Sequence, residues 1–318
     1  MADHRLLPAA LRLRRRAAPR TGREQRRLLR RWERLKLPPR QRSRIVETDF
    51  GTEMVLERPG CSLHYWLTGA QDSLPLVMFI HGAGIDHRVW AGQVRAFSTR
   101  YRVLTLDLRG HGRSRPAVDY ACGPLIDDSF ALLDAVHASR VVLIGLSMGG
   151  NVAQEMVFRD PDRFSALVCV DCTCNTLVPR LDRVTLPIFR ALIGPAIHAY
   201  PRRQLLEAIA RRTSLTREGR RYVFEATGQL SNNEIARVMA TLLAALRHEP
   251  DYQVTIPELL LHGSDDSLGN IRKVMRAWRD RDPNSQAAII PNAGHTSNLD
   301  NPEDFNRWVL DWLSRAAH

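Results

Sequence analysis

The chain has 318 residues, of which 44% are hydrophobic and 25% are charged, so most of it has the composition of a folded globular protein and not of a disordered one. This length suits one large domain with an insertion, or two smaller domains. The formal net charge is +12, and no apolar run reaches the roughly 18 residues that a membrane span requires.

The positive charge is concentrated in residues 1–44, which hold fifteen arginines and Lys36 against three acidic residues. This basic arm has a net charge of +13, so the remainder carries −1. Three interpretations stay open. The segment is a mostly disordered tail, or an arm that contacts an anionic surface or a partner protein. Alternatively, the translation start is assigned too far upstream, and a later methionine such as Met54 is the true start. A charge run without a recognisable module predicts no specific recognition of nucleic acid.

From about residue 45, apolar strands alternate with amphipathic helices. This alternation predicts an α/β protein with a mostly parallel sheet covered by helices on both faces. The predicted elements, in chain order, are strands 61–68 and 74–81, helix 89–98, strand 101–107, helix 125–137, strand 141–145, helix 148–159 and strand 166–171.

The alternation stops between residues 175 and 250, where only helical patterns occur, for example over 201–212 and 233–248. This region predicts an inserted helical cap. The expected organisation is the basic arm at 1–44, a core of 45–174 and 251–318, and the cap at 175–250. The later predicted core elements are strand 256–262, helix 271–281, strand 286–290 and helix 303–315.

The strongest motif is the segment 145–150, Gly-Leu-Ser-Met-Gly-Gly, between a predicted strand and a predicted helix. A sharp strand-to-helix turn of this kind exposes its central residue, here Ser147, above the sheet. The hydroxyl then lies at a helix N-terminus, where backbone amides favour developing negative charge. The motif therefore predicts that Ser147 is a nucleophile.

A second motif, His81-Gly82-Ala83-Gly84, directly follows a strand. The amides of Ala83 and Met148 are expected to form an oxyanion hole, with Gly84 as a weaker alternative donor to Ala83. His81 is interpreted as structural.

Two late loops, 262–266 and 292–295, each follow a predicted strand. The first loop contains acidic residues and the second contains a histidine. The order along the chain is therefore nucleophile, acid, histidine, which is the order found in one class of hydrolase sites. Because the carboxyl ends of parallel strands meet at one edge of a sheet, His295 is expected to reach Ser147 as its general base. A carboxylate would fix the histidine tautomer.

At these motifs, together with the loop 107–114, the chain resembles the α/β-hydrolase superfamily over about residues 50–315. The resemblance implies an eight-stranded, mostly parallel sheet with an inserted cap. It places the acid at Asp266, with Asp265 as the adjacent alternative. Asp171 is a further candidate, because some relatives carry the acid after the strand that follows the nucleophile helix.

Serine at position 147 makes epoxide opening and dehalogenation poor candidates, because relatives with those activities use aspartate there. The resemblance, carried partly by Met148, is to carboxylesterases, enol-lactonases and cofactor-free haloperoxidases. It implies hydrolysis of a small or medium ester, lactone or thioester. Carbon–carbon bond hydrolysis, perhydrolysis, or a binding protein with little turnover are the alternatives. Five apolar residues of the cap are expected to line the substrate pocket: Leu186, Ile188, Phe189, Leu192 and Ile193.

Five cysteines, three of them at 169, 172 and 174, do not suggest a disulfide framework. With no secretory signal pattern, they predict a cytoplasmic protein. No metal is expected, because no second cysteine pair has ligand spacing. No cofactor is expected either, since no phosphate loop or dinucleotide fingerprint occurs. The sequence does not indicate an oligomeric state.

Overall fold

The structure is a computed structural model that describes residues 47–48, 50–68 and 74–316. The predicted basic arm, residues 1–44, lies outside the described residues, so its three interpretations stay predictions. Among the helices of the described residues, none has the length and apolar character needed to cross a membrane.

One sheet organises the described part of the chain. Its nine strands have the order β1-β2-β3-β5-β4-β6-β7-β8-β9. The strands from β5 to β9 in this order are parallel, and β1, β2 and β3 pair antiparallel at one edge. The strands are β1 (Glu47–Thr48), β2 (Gly51–Arg58), β3 (Cys61–Thr68), β4 (Leu76–Ile80), β5 (Arg102–Leu106), β6 (Val141–Leu146), β7 (Phe164–Val170), β8 (Glu258–Gly263) and β9 (Ser285–Ile290).

The predicted α/β fold is confirmed. Eight of these strands have five residues or more, which matches the expected count, and β1 adds a two-residue extension. The described helices are α1 (Ala91–Phe97), α2 (Cys122–Ala135), α3 (Met148–Arg159), α4 (Arg180–Ala199), α5 (Arg202–Thr213), α6 (Arg217–Gly228), α7 (Asn232–Ala244), α8 (Ile271–Arg281), α9 (Ser297–Asp300) and α10 (Pro302–Ala316).

Helices cover both faces of the sheet because successive strand residues point to opposite sides. In β4, Val77 and Phe79 pack with residues of α1 and α10, whereas Met78 and Ile80 pack with residues of α2, α3 and α8. Burial on both faces explains why β4, β6 and β8 are buried along their whole length.

Helices α4 to α7 lie between β7 and β8, in the region where the sequence predicts a cap. α4 packs against α7, and α5 packs against α6. The capping box of Ser231 and Glu234 begins α7, and Thr216 caps the start of α6 through the Gly219 amide. These helices are therefore delimited by local sequence signals as well as by packing.

Candidate active site

Ser147 occupies the turn between β6 and α3 with a φ of 52° and a ψ of −117°. Such a conformation is strained for a residue with a side chain and is maintained by its surroundings. Its amide donates to the carbonyl of Val170 at 2.8 Å. A side chain on Gly145 would lie 2.3 Å from the Gly149 carbonyl oxygen, and one on Gly149 would lie 2.1 Å from the Ile80 carbonyl oxygen. The two glycines therefore permit the close approach of strand and helix that holds Ser147 in this turn.

The structure brings Ser147, His295 and Asp266 into one hydrogen-bonded chain. The Ser147 hydroxyl lies 2.9 Å from Nε2 of His295, and Nδ1 of His295 lies 3.0 Å from Oδ2 of Asp266. Because a carboxylate only accepts, Nδ1 carries the proton and Nε2 is left to accept from the serine. His295 and Asp266 are buried, and Ser147 is half-buried. The imidazole is thus in the tautomer that a general base requires.

The pKa of His295 is raised above its usual value. Burial acts to lower this pKa, but the hydrogen bond to Asp266 and the negative charges of Asp266 and Asp171 outweigh it. The site therefore stabilises a positive charge on the imidazole, which is the charge that proton transfer from a serine creates.

The three candidate acids occupy different positions. Asp266 contacts His295 and also accepts the Leu268 amide through Oδ1 at 2.9 Å. Asp265 is exposed, and its carboxylate accepts the Ser264 hydroxyl. Asp171 is fully buried and accepts two backbone amides, from Gly263 and Ser297, each at 2.8 Å. Of the three, Asp266 has the side-chain hydrogen bond to the histidine.

Asp171 ties the acid loop to the histidine loop, a role that the sequence does not reveal. Burial raises the pKa of Asp171 to about 7; the charge of His295 opposes this shift, the charge of Asp266 adds to it, and hydrogen bonds from Ser297 oppose it. Its φ of 46° is strained as well. Asp171 is thus harder to ionise than an ordinary aspartate, and it lies beside the hydrogen-bonded pair of Asp266 and His295.

The turn at residues 82–84 lies beside the serine, since a side chain on Gly82 would lie 3.3 Å from Cβ of Ser147. Within the described part of the chain, the amides of Ala83 and Met148 have no hydrogen-bond acceptor. Both amides are therefore available to a ligand at the serine. Gly84 has a φ of 75°, which turns the chain away after Ala83.

His81 and Asp107 form a structural network below this turn. Nδ1–H of His81 donates to the Gly82 carbonyl at 2.8 Å, and its Nε2 accepts the Leu108 amide at 2.9 Å. Burial lowers the pKa of His81, which keeps the ring neutral. Asp107 accepts the amide and the ring Nδ1–H of His87 as well as the Arg113 amide. His81 therefore has the structural role that the sequence predicts.

The described residues contain one group with metal-ligand spacing: Asp86, His87 and Asp107 have ligand atoms within 4.8 Å of one another. These atoms are already engaged, because Asp86 binds the guanidinium of Arg88 through both oxygens and Asp107 binds His87. The group fits an ion-pair network better than a metal centre.

Two residues at the site escape sequence reasoning. Asp300 accepts the amides of Gly294, Leu215 and Thr216, and so connects the histidine loop to the segment between α5 and α6. The hydroxyl of Thr227, on α6, is buried without a hydrogen-bond partner in the described residues and lies 3.5 Å from the Cβ position of Gly84. No local motif marks either residue, since both act through distant parts of the chain.

Among helices α4 to α7, residues of α5, of α6 and of the turn between them approach the turns of the site. Leu215 and the Thr213 carbonyl approach the Cβ position of Gly294 to 3.3 Å. Ile188, Phe189 and Leu192 are each more than half exposed to solvent, and the expectation that they line the substrate pocket stays a prediction. Leu186 and Ile193 are partly buried. Their helix, α4, has apolar residues around most of its circumference, so sequence alone does not tell which of them face inward.

The parallel sheet, the strained serine at the strand-to-helix turn and the histidine after the last strand define a hydrolase-class enzyme. The profile of the alpha/beta hydrolase family matches residues 77–308, and the chain belongs to this family.

Curated relatives cover most of the chain. RutD of Caulobacter sp. (strain K31), named as a carbamate hydrolase, is 30% identical over 247 residues, which are 76% of this chain and 91% of RutD. The pimeloyl-[acyl-carrier protein] methyl ester esterase of Pectobacterium atrosepticum is 26% identical over 77% of this chain and 96% of its own. The relatives are thus hydrolases that align over nearly their full length.

The solved structure of the enol-lactonase from Burkholderia xenovorans LB400 superposes with a TM-score of 0.70. It is 24% identical and covers 82% of this chain and 100% of its own. This likeness shows the shared fold.

Proposed function

We propose that the protein is a serine hydrolase that cleaves a small or medium carboxylic ester, lactone or thioester. Ser147 is the nucleophile, His295 the general base and Asp266 the acid that orients the histidine. The observation that carries this proposal is the hydrogen-bonded chain from the Ser147 hydroxyl through His295 to Asp266.

In the first half of the reaction, Oγ of Ser147 attacks the substrate carbonyl carbon while Nε2 of His295 takes the hydroxyl proton. The amides of Ala83 and Met148 stabilise the oxyanion. When the tetrahedral intermediate collapses, Nε2–H gives its proton to the departing oxygen or sulfur, and the acyl group stays on Ser147. Asp266 stabilises the imidazolium throughout.

In the second half, His295 takes a proton from water as that water attacks the acyl-enzyme. Collapse of the second tetrahedral intermediate returns the proton to Oγ and releases the carboxylic acid. The cycle consumes the substrate and one water, and it regenerates the same tautomer of His295. The names of RutD and of the methyl ester esterase support this chemistry, since a carbamate and a methyl ester both present a carbonyl with a leaving group.

The proposal is tested by turnover of aryl esters, lactones and thioesters with the wild-type protein and Ser147→Ala. The variant is expected to lose turnover and labelling by a fluorophosphonate probe. Ser264→Ala is the matched control, because this hydroxyl is near the acid loop but donates to Asp265 and not to the triad. Equal turnover by wild type and Ser147→Ala would refute the assignment, and stoichiometric ligand binding without product would favour a binding protein.

A further inference from the structure

The two residues that flank His295 in the chain are both hydrogen-bonded to the cap. On one side, Oδ2 of Asp300 accepts the Gly294 amide at 2.9 Å and the Leu215 amide at 3.0 Å. Leu215 belongs to the turn between α5 and α6, residues 214–216. One carboxylate oxygen therefore joins the residue before His295 to the cap.

On the other side, Thr296 contacts the cap directly. Its amide and its hydroxyl both donate to the Thr213 carbonyl, at 3.1 Å and 3.2 Å. Thr213 is the last residue of α5, and a side chain on Gly294 would lie 3.3 Å from the same carbonyl oxygen. The histidine loop is thus bonded to the end of α5 directly after His295 and to the following turn directly before it.

The carboxylate of Asp300 makes five hydrogen bonds with the described residues. Besides the two amides at Oδ2, its Oδ1 accepts the Thr216 amide at 3.2 Å, the Thr216 hydroxyl at 3.2 Å and the Ser214 hydroxyl. A carboxylate accepts at both oxygens, whereas the amide of asparagine accepts at one. Hydrogen bonds to an ionised acceptor are also stronger than neutral ones. Asp300 therefore holds the turn and the histidine loop close together.

Helix capping does not account for these bonds. Asp300 ends α9, but the start of α10 is capped by Asn301, whose Oδ1 accepts the Asp304 amide at 3.3 Å. None of the five bonds of the Asp300 carboxylate reaches α10. The histidine loop also has separate support from the core, because the Ser297 amide donates to Asp171 at 2.8 Å. The bonds to the cap are additional to that support.

The same pair of cap helices is bonded to the other side of the site. The Tyr222 hydroxyl, on α6, donates to the Asp86 carbonyl at 3.0 Å and accepts the Asp86 amide at 3.2 Å. Asp86 lies two residues after Gly84, at the end of the turn that carries the Ala83 amide. A displacement of α6 would therefore act on both loops that surround the serine.

We propose that Asp300 is a positioning residue that aligns His295 by bonding the histidine loop to the cap. The bonds on both sides of the histidine restrict its backbone, and so hold Nε2 near Ser147 and Nδ1 near Asp266. The inference rests on the proposed function, in which His295 is the general base. It adds that α5, α6 and the turn between them support the catalytic geometry and do not only cover the site.

The first test compares Asp300→Asn with wild type in aryl-ester hydrolysis. The NH₂ group cannot accept, so the donors at one oxygen lose their partner and the loop loosens. We expect kcat to fall about tenfold to a hundredfold and KM to stay within about threefold, because a misplaced base affects the reaction more than binding.

The pH profile provides a second measurement on the same variant. Asp266 and Asp171 are the charges that act on the imidazole of His295, and both are retained in Asp300→Asn. A longer hydrogen bond to Asp266 would lower the pKa of His295, because that bond is what raises it most against burial. The acidic limb of kcat/KM should therefore move to lower pH.

Glu234→Gln is the matched control, because its carboxylate also joins the cap to the core. It accepts the amide and the hydroxyl of Ser231 at the start of α7, and the Tyr120 hydroxyl at 3.1 Å. In the part of the chain that the structure describes, it makes no hydrogen bond to the histidine loop. This variant should lose stability in urea unfolding, as Asp300→Asn does, but keep kcat within about threefold and the wild-type pH profile.

Ser214→Ala tests the cap side of the connection, because it removes one donor to Oδ1 and leaves the carboxylate in place. Alone, it should lower kcat about threefold. Combined with Asp300→Asn, it should cause little further loss, since Ser214 acts through Asp300.

A readout without turnover keeps this inference separate from the proposed reaction. The Nδ1 proton of His295, hydrogen-bonded to Asp266, is expected to give a downfield proton NMR resonance. This resonance should move upfield or broaden in Asp300→Asn and stay in place in Glu234→Gln. If Ser147→Ala keeps full turnover, the proposed reaction fails, and the resonance still reports on the alignment of His295.

Three outcomes would overturn the inference. The first is wild-type kcat together with an unchanged resonance in Asp300→Asn. The second is an equal loss of kcat in Asp300→Asn and Glu234→Gln, which would indicate general loosening of the cap. The third is wild-type kcat in Ser214→Ala, which would confine the role of Asp300 to the core and remove the cap from the alignment of the histidine.

Discussion

Replacement of Asp266 by Asn tests the hydrogen-bond geometry of the site directly. Oδ1 of Asp266 accepts the Leu268 amide at 2.9 Å, and this donor requires an oxygen in any variant. In Asp266→Asn the amide oxygen therefore faces Leu268, and the NH₂ group faces Nδ1 of His295. Nδ1 must then accept, which transfers the ring proton to Nε2, the nitrogen that contacts Ser147. The general base is thus in the wrong tautomer.

The expected loss of kcat is about a thousandfold to ten thousandfold, or ~4 to 5.5 kcal/mol of transition-state stabilisation. The pH profile should also change. Since Asp266 helps to raise the pKa of His295 against the opposing effect of burial, its removal lowers that pKa. His295 must be neutral to act as base, so the acidic limb of kcat/KM should move to lower pH.

The assay is initial-rate hydrolysis of an aryl ester across pH, with thermal unfolding to verify that each variant folds. Asp265→Asn is the matched control and should stay within about threefold of wild type, because its exposed carboxylate contacts Ser264 and not the histidine. If Asp266→Asn keeps more than a tenth of the activity, or if Asp265→Asn loses as much as Asp266→Asn, the assignment of the acid is wrong.

Three further predictions follow from buried groups near and away from the site. Asp171→Asn should lower kcat/KM about tenfold and the free energy of unfolding by ~1 to 3 kcal/mol. Each carboxylate oxygen of Asp171 accepts one amide, from Gly263 or Ser297, and the NH₂ group of asparagine cannot replace one of these acceptors. Aryl-ester turnover measures the first effect and urea unfolding the second. Gly149→Ala should cost about 3 kcal/mol or more, since its Cβ would meet the Ile80 carbonyl, whereas Gly194→Ala, where nothing lies within 4 Å, should stay within about 1 kcal/mol of wild type by urea unfolding. Burial and the charge of Asp282 raise the pKa of Glu258, so wild type loses stability as pH rises above the usual glutamate pKa; Glu258→Gln should therefore raise Tm in mildly alkaline solution and change it little in acid. An equal change of Tm at both pH values would contradict this explanation.

The predictable part of the fold is the part buried on both faces. The sequence predicts helices 148–159 and 271–281 with the bounds that the structure has, and its predicted strand 141–145 is one residue shorter than β6. The sequence pattern does not indicate β2. Its residues, Gly51–Arg58, are half-buried or exposed and pair antiparallel near the sheet edge, so the strand lacks a continuous apolar run. Pairing with β3, a contact outside the local sequence, determines β2.

The residues of the site also fall into a group that sequence motifs identify and a group that they do not. Ser147 and the turn at Gly82 are marked by local backbone requirements, and so sequence motifs identify them. The acid is not marked, because Asp171, Asp265 and Asp266 are all acidic residues after buried strands, and only the positions of the loops in space distinguish them. Asp300 and Thr227 reach the site from other segments and lack any local signal.

In α4, apolar residues of one helical pattern lie both on the side that packs against the protein and on the side that faces solvent. In α4, Ile193 and Ile197 pack toward the protein while Ile188 and Leu192 face solvent, and all four belong to one apolar run. Since Thr213, Leu215 and Thr227 approach the turns at Gly84 and Gly294, we expect α5, α6 and the turn between them to supply residues that contact a substrate. Thr227→Val should therefore change kcat/KM for dissolved aryl esters, because its buried hydroxyl, which has no partner in the described part of the chain, lies beside the turn at Gly84.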